Sequence, residues 1–232
     1  MYWGDDRMSE KQASSPPDPM KEKGHHEQLL LAELFEEYGV LLHYKKNEFI
    51  FREDEESKHI YFLKSGLIKI SQSAEEGHGI TLFLRSAGEI FGAAEVLTGQ
   101  RRQRFGRCIL NSQVLLVPAD HFKSLVLSRP DVLYALTVSN ARRLLSTQRY
   151  VETLISRPVA WRLAHFLSQI GEWQQSEIHV KLPLSHEEMS YIIGCSRQTI
   201  TETLNKWKEQ GLIQYEKKQV IIYDYEDFMS KL

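Results

Sequence analysis

Cysteine is scarce. The 232-residue chain has two, Cys108 and Cys195, far apart and in no CxxC pair. This excludes a disulfide framework, a structural zinc site and a four-cysteine iron–sulfur cluster. An excess of positive charge is missing too: 29 Lys and Arg stand against 31 Asp and Glu, a formal net charge of -2. A histone-like basic blanket is therefore excluded, and any nucleic-acid binding must come from a local patch. No apolar run approaches the roughly 18 residues of a membrane span, and Met1 to Lys11 is too polar for a signal peptide. The expectation is a soluble cytoplasmic protein with no membrane partner. Metal ligands are dispersed: His43, His59 and His78 share one region without HxH spacing. That speaks against a metal-dependent cupin-type enzyme, which stays a rival reading beside a ligand sensor that binds no DNA. No Gly-rich phosphate loop or nucleophile motif appears. What is present suffices for a core, since 42% of residues are hydrophobic and 26% charged, close to ordinary globular composition.

The chain divides into four stretches. Residues 1–27 read as a disordered tail, because Ser14-Ser15-Pro16-Pro17-Asp18-Pro19 holds no regular structure. Residues 28–129 open with a short helix carrying Leu30, Leu31, Leu34, Phe35 and Tyr38 at helical spacing. Short strands follow over 48–51, 59–63, 67–71, 80–84, 104–109 and 114–117, separated by turn residues such as Ser65-Gly66, Glu76-Gly77-His78-Gly79 and Ala87-Gly88. Many short strands with close turns predict a jelly roll. Residues 130–156 form one long helix opened by Pro130. Leu133, Leu136, Asn140, Leu144, Thr147, Val151 and Leu154 step by three or four along it. Such a seam predicts a two-chain coiled coil, hence a homodimer. Pro158 breaks the helix, and Ser156-Arg157-Pro158 is a natural hinge into a second domain, 157–232.

In that second domain Ser185-His186-Glu187-Glu188 is a capping box that opens a short helix. Gly194 permits a tight turn, and Ser196 caps a second helix. Ile200, Leu204 and Trp207 form its buried face, while Arg197, Gln198, Thr201, Glu202 and Asn205 lie elsewhere. Gly211 ends it, and Glu216-Lys217-Lys218-Gln219 turns a hairpin. This order is a winged helix-turn-helix, giving an α+β chain: jelly roll, dimerisation helix, winged helix-turn-helix. A helix fits the major groove; Arg197 can bond guanine bidentately and Gln198 adenine, with Ser196, Thr199 and Thr201 on the same first turns. The helix N-termini at Ser185 and Ser196, together with Lys206, Lys217 and Lys218, can meet phosphates.

The run from Leu184 to Thr201 resembles the signature of the Crp/Fnr superfamily. So do Tyr61-Phe62-Leu63-Lys64-Ser65-Gly66-Leu67-Ile68-Lys69-Ile70, Gly88-Glu89-Ile90-Phe91-Gly92 and Ala141-Arg142-Arg143-Leu144. The resemblance spans roughly Leu29 to Tyr225. It implies a jelly-roll sensor, a dimerisation helix and a DNA-reading winged helix. The partners it implies are double-stranded DNA, a second copy of the chain and RNA polymerase.

The resemblance also marks departures. Gln198 stands where cyclic-AMP-responsive members carry glutamate, and Glu202 where they carry a second arginine, so the preferred operator should differ. His186 sits where a phosphate-binding arginine is common. In the sensor, Ala93 follows Gly92 where the family pattern has a glutamate for the ribose. Arg104 fits the cyclic-phosphate arginine, but Phe105 follows in place of a small hydroxyl residue. In the long helix Thr147 matches an adenine contact, and Gln148 replaces its neighbour. Half the nucleotide pattern is gone, which speaks against cyclic AMP. Arg101, Arg102, Arg104 and Arg107 fall within seven residues and suggest a small anionic effector, against a solvated loop with one structural arginine. Phe105 and Gln148 are expected to fill the ligand space, which favours an apo dimer that already binds DNA. His78, on a glycine turn, reads as exposed rather than as a haem ligand. Cys108 and Cys195 read as inert thiols.

Overall fold

A computed structural model describes residues 25–73 and 79–232 of the chain. It opens with α1 (His25–Tyr38), β1 (Val40–Tyr44), β2 (Phe49–Phe51), β3 (His59–Ser65), β4 (Leu67–Ser73), β5 (Gly79–Ser86), β6 (Ile90–Phe91), α2 (Ala93–Thr98), β7 (Phe105–Cys108) and β8 (Ser112–Pro118). Then come α3 (Ala119–Ser128), α4 (Pro130–Ser156), α5 (Val159–Ile170), β9 (Glu172–Gln174), β10 (Glu177–Lys181), α6 (His186–Ile193), α7 (Arg197–Glu209), β11 (Ile213–Glu216), β12 (Gln219–Ile222) and α8 (Tyr225–Ser230).

The sensor strands form two antiparallel four-stranded sheets, ordered β1-β8-β3-β6 and β2-β7-β4-β5. Phe51, Tyr61, Leu63, Ile68, Ile70, Phe91, Cys108 and Val114 from both sheets form one core, so the sheets face each other as a jelly roll. Strand β3 is buried on both faces. Tyr61 and Leu63 point between the sheets, whereas Ile60 and Phe62 join Leu34 and Phe35 of α1, Phe122 of α3 and Val132, Ala135 and Leu136 of α4 in a second core. Period-two alternation thus gives β3 a continuous apolar run with two destinations.

Several expectations are corrected. Helix α1 begins at His25, inside the expected tail, because Glu27 pairs with Arg142 and Gln28 donates to the Gly88 carbonyl at 3.0 Å. The short elements β1, β6, α2, β9 and α8 were not anticipated. Strand β1 leaves Val40, Leu41 and Leu42 exposed, and β6 has two residues, too few for any period. The turn with Glu76 and His78 lies outside the described residues, as does most of the expected tail.

Helix α4 has the expected bounds, opened by Pro130. Its seam divides, however. Leu136 is buried in the sensor core, Thr147 lines a cavity, and Leu154 meets Gly194. The other apolar seam residues stay exposed, Leu133 at 47%, Leu144 at 60% and Val151 at 48%, in a row that Ile155 at 84% extends. A straight helix cannot keep one 3.5-residue seam on one face for 27 residues.

In the second domain β11-β12-β10-β9 form a sheet against α5, α6 and α7. Leu67, Leu84 and Ile109 of the sensor pack on this domain's core, so the two domains are docked. Lys69 of β4 forms an ion pair with Glu188 of α6, both largely buried. The Tyr150 hydroxyl donates to the Ile192 carbonyl at 2.6 Å, and Arg162 donates to the Leu154 carbonyl at 2.8 Å.

Candidate nucleic-acid interface and sensor cavity

Helix α6 starts at the capping box read from the sequence. The Ser185 side chain accepts from the Glu188 amide at 3.2 Å, and the Glu188 carboxylate accepts from the Ser185 amide at 2.9 Å. Gly194 then takes φ 72°, a left-handed conformation that costs a side-chain-bearing residue energy, and a Cβ there would lie 2.9 Å from Leu154. Ser196 caps α7 by accepting from the Thr199 amide at 3.0 Å. Ile200, Leu204 and Trp207 are buried, with Trp207 edge-on to Phe228 at 4.9 Å.

Anchoring that face turns Arg197, Gln198, Glu202, Asn205 and Lys206 to solvent. Gln198 donates its amide to Glu202 at 2.7 Å, one turn on. Lys217 and Lys218 sit at the tip of the β11–β12 hairpin with φ of 44° and 71° and are exposed. Two consecutive left-handed residues are the geometry of a tight hairpin turn. The expected residues thus separate into an exposed reading face, a basic wing tip and three cap residues, Ser185, Ser196 and Thr199. His186 and Thr201 are half-buried and bonded to each other, Nδ1 to Oγ1 at 2.8 Å. Desolvation, then the positive charges of Arg197 and Lys218, push the His186 pKa down.

The sensor holds a cavity of about 750 Å³, bounded by β5, β6, α2, Arg104 just before β7, and α4. Of the six residues expected there, Gly92, Arg104 and Thr147 line it. The other three do not. Ala93, the first residue of α2, is buried, Phe105 packs edge-on to Phe49 at 5.5 Å, and Gln148 is exposed on α4. Phe105 and Gln148 therefore leave the ligand space open, contrary to expectation. Phe105 opens β7 and turns its ring to Phe49 of β2, whereas Arg104, in the bend just before the strand, reaches the cavity.

The arginine cluster separates in the same way. Arg101 is exposed beside Asp54, and Arg107 donates to the Asn47 carbonyl at 2.9 Å. Arg102 is the structural arginine. Its side chain is fully buried, bonded to the Gly92 carbonyl at 2.7 Å, the His59 carbonyl and Glu95, and stacked on Phe51 at 4.7 Å. Only Arg104 faces the cavity, but Arg85, Arg142 and Arg143 join it from other elements. The Nε atoms of Arg85 and Arg104 are buried with no hydrogen-bond partner among the described residues. Desolvation, then the charge of Arg143, lowers the Arg85 pKa to about 10; desolvation also lowers that of Arg143. Arg142 and Arg143 stood in a motif that sequence reasoning took as a family mark alone; nothing local pointed to Arg85.

The cavity's far wall is Phe166, Gln169, Ile170 and Ile192 of the second domain. Among the described residues, no group of three or more His, Cys, Asp or Glu is placed to hold a metal ion. None of their helices is long and apolar enough to cross a membrane. Burial raises the pKa of both Cys108 and Cys195.

A ligand-sensing β domain joined by a long helix to a winged helix-turn-helix defines a DNA-binding transcription regulator. Residues 41–129 match the cyclic nucleotide-binding domain and residues 161–229 the Crp-like helix-turn-helix domain. The chain belongs to the Crp/Fnr family of transcription regulators. It is similar to the global nitrogen regulator of Synechococcus elongatus, 29% identical over 187 residues, covering 78% of this chain and 84% of the relative. The cAMP-activated global transcriptional regulator CRP of Haemophilus influenzae is 25% identical over 173 residues, covering 73% and 77%. Among solved structures, the c-di-GMP responsive global regulator CLP of Xanthomonas campestris superposes with a TM-score of 0.71 at 21% identity, covering 84% of this chain and 99% of that one.

Proposed function

We propose that the protein binds a palindromic operator as a homodimer and that a small anionic effector, not cyclic AMP, occupies its sensor cavity. One observation carries the operator reading: a Ser-capped helix, anchored by Ile200, Leu204 and Trp207, presents Arg197 and Gln198 on its exposed first turn. That is the geometry by which a recognition helix reaches base edges. Lys206, Lys217 and Lys218 meet phosphates on either side. The exposed row Leu133, Leu144, Val151 and Ile155 supports pairing of two α4 helices, with Gln148 on that row rather than in the pocket.

The effector reading rests on Arg85 and Arg104, whose Nε atoms are buried without a partner among the described residues, with Arg143 beside them. Arg85 pairs with Glu89 at 3.7 Å, and an anion would complete the donors that remain. Ala93, which stands where the family pattern has the ribose glutamate, does not line the cavity, which argues against cyclic AMP. RNA polymerase is the further partner of a promoter-bound regulator. Selection of bound duplexes from a random pool, with and without small anions, tests both parts. A palindrome with half-sites about one helical turn apart is expected. Arg197→Ala should cost about 1–3 kcal/mol and relax one base pair, whereas Lys217→Ala should weaken all sequences alike. If Arg197→Ala left the selected motif intact, the helix register would be wrong.

A further inference from the structure

His186 stands where a phosphate contact was expected, yet its ring faces inward. Nε2 lies 2.7 Å from the Tyr215 hydroxyl of β11, and Nδ1 lies 2.8 Å from Thr201 Oγ1 of α7. Thr201 Oγ1 also lies 3.1 Å from the Arg197 carbonyl. The Thr201 hydroxyl donates to the Arg197 carbonyl in this geometry, and its one proton is then spent. With that donor, Thr201 accepts from His186, which places the imidazole proton on Nδ1. Nε2 is left with its lone pair, and Tyr215 donates to it. The chain runs in one direction, Tyr215 to His186 to Thr201 to the Arg197 carbonyl. It ties the wing strand, the first turn of α6 and the first turn of α7 together through side chains that are all half-buried or capped.

We propose that His186 is a positioning residue: through this relay it holds the wing against the recognition helix and fixes the angle at which Arg197 reads its base, and it contacts no phosphate. The proposal rests on the operator reading above. Its consequences differ from those of a phosphate ligand. A charged phosphate contact adds about 0.9 to the salt slope of binding and treats all sequences alike. A positioning residue leaves that slope unchanged and sharpens the motif.

The test uses the full-length protein. Long-range proton–nitrogen NMR of the free protein should show His186 protonated at Nδ1, and Tyr215→Phe, which removes one oxygen, should shift the Nε2 resonance. In duplex selection, His186→Ala and Tyr215→Phe should each broaden the motif at the base pair read by Arg197. Each should weaken specific binding about two- to tenfold, the worth of one relay hydrogen bond. The double variant should add little to either single one. An Nε2-protonated ring in the wild-type protein overturns the relay. So does an unchanged motif in Tyr215→Phe, or a salt slope lowered by about one in His186→Ala. Wild-type protein that binds no duplex sinks the operator reading instead, and the imidazole tautomer still decides the relay by itself.

Discussion

Arg102 and Arg104 are two residues apart in sequence and should behave as opposites. Arg102 is fully buried, donates to two carbonyls and to Glu95, and stacks on Phe51 and Tyr61. Arg102→Ala strands those acceptors and leaves a largely buried carboxylate without its cation. Breaking a buried pair from one side costs about 3–5 kcal/mol, a large part of the roughly 5–15 kcal/mol that holds a domain folded. Arg102→Lys keeps the charge but loses the planar fork, so most of the cost should remain. Arg104 has a buried Nε with no partner, so its removal strands nothing. Arg104→Ala should cost about 1 kcal/mol or less, because a missing hydrogen bond cannot be lost. Urea unfolding at neutral pH separates the two, and small-anion binding followed by thermal shift should vanish in Arg104→Ala alone. Equal costs for the two substitutions would refute the division of the arginine cluster into structural and ligand-facing members.

Leu144→Glu with Val151→Glu should give monomers in sedimentation at micromolar concentration, since both side chains lie on the exposed row of α4; a surviving dimer would place the interface elsewhere. Lys69→Ala should loosen the docked domains and speed amide exchange in β5 and α6, by roughly 5- to 30-fold if the largely buried pair contributes 1–2 kcal/mol; unchanged exchange would mean that the apolar contacts suffice. Burial pushes the pKa values of His59, His165 and His186 down. The unfolded chain, whose histidines titrate near 6.5, therefore takes up protons first. Stability is complete above that pH and falls as pH drops through the lowered folded values. The urea midpoint should be lower at pH 5.5 than at pH 7.5, and His165→Gln should narrow the gap.

The helix-turn-helix was legible because its signals are local. Ser185 and Ser196 cap, Gly194 turns, and Ile200, Leu204 and Trp207 repeat on one face, so a few residues fix each feature. The jelly roll was legible as a class but not in its pairings. Nothing along the chain says that β8 lies between β1 and β3. The cavity was half legible for the same reason. Gly92, Arg104 and Thr147 stood in family positions, whereas Arg85 reaches the same space from a strand whose sequence carries no mark of it. Phe105 was assigned to the cavity by the family position beside Arg104, although it opens β7 and packs on Phe49 while Arg104 sits in the bend before the strand. The two partners of His186, Thr201 and Tyr215, are 15 and 29 residues away, so no local pattern announced them.

The cavity's position constrains any switch. A ligand changes DNA affinity only as far as it binds one conformation better than another. In this chain the ligand space is walled by β5 and β6 of the sensor, by Arg143 and Thr147 of α4, and by Phe166 and Ile192 of the DNA-reading domain. Ile192 is the residue whose carbonyl accepts from Tyr150, itself a lining residue of α4. An anion drawn onto Arg85, Arg104 and Arg143, as proposed, would therefore share a cavity with Ile192 of the helix that precedes α7, with no intermediate element required. The opposing restraint is the Lys69–Glu188 pair on the same helix, six residues before Gly194. Glu188 also closes the α6 cap. If a ligand moved the domains apart as proposed, the Lys69–Glu188 pair would break while the Ser185 side of the cap stayed within α6. Domain movement would then leave the α6 cap and the geometry of α7 intact, and in the proposed homodimer it would alter only the spacing of the two α7 helices.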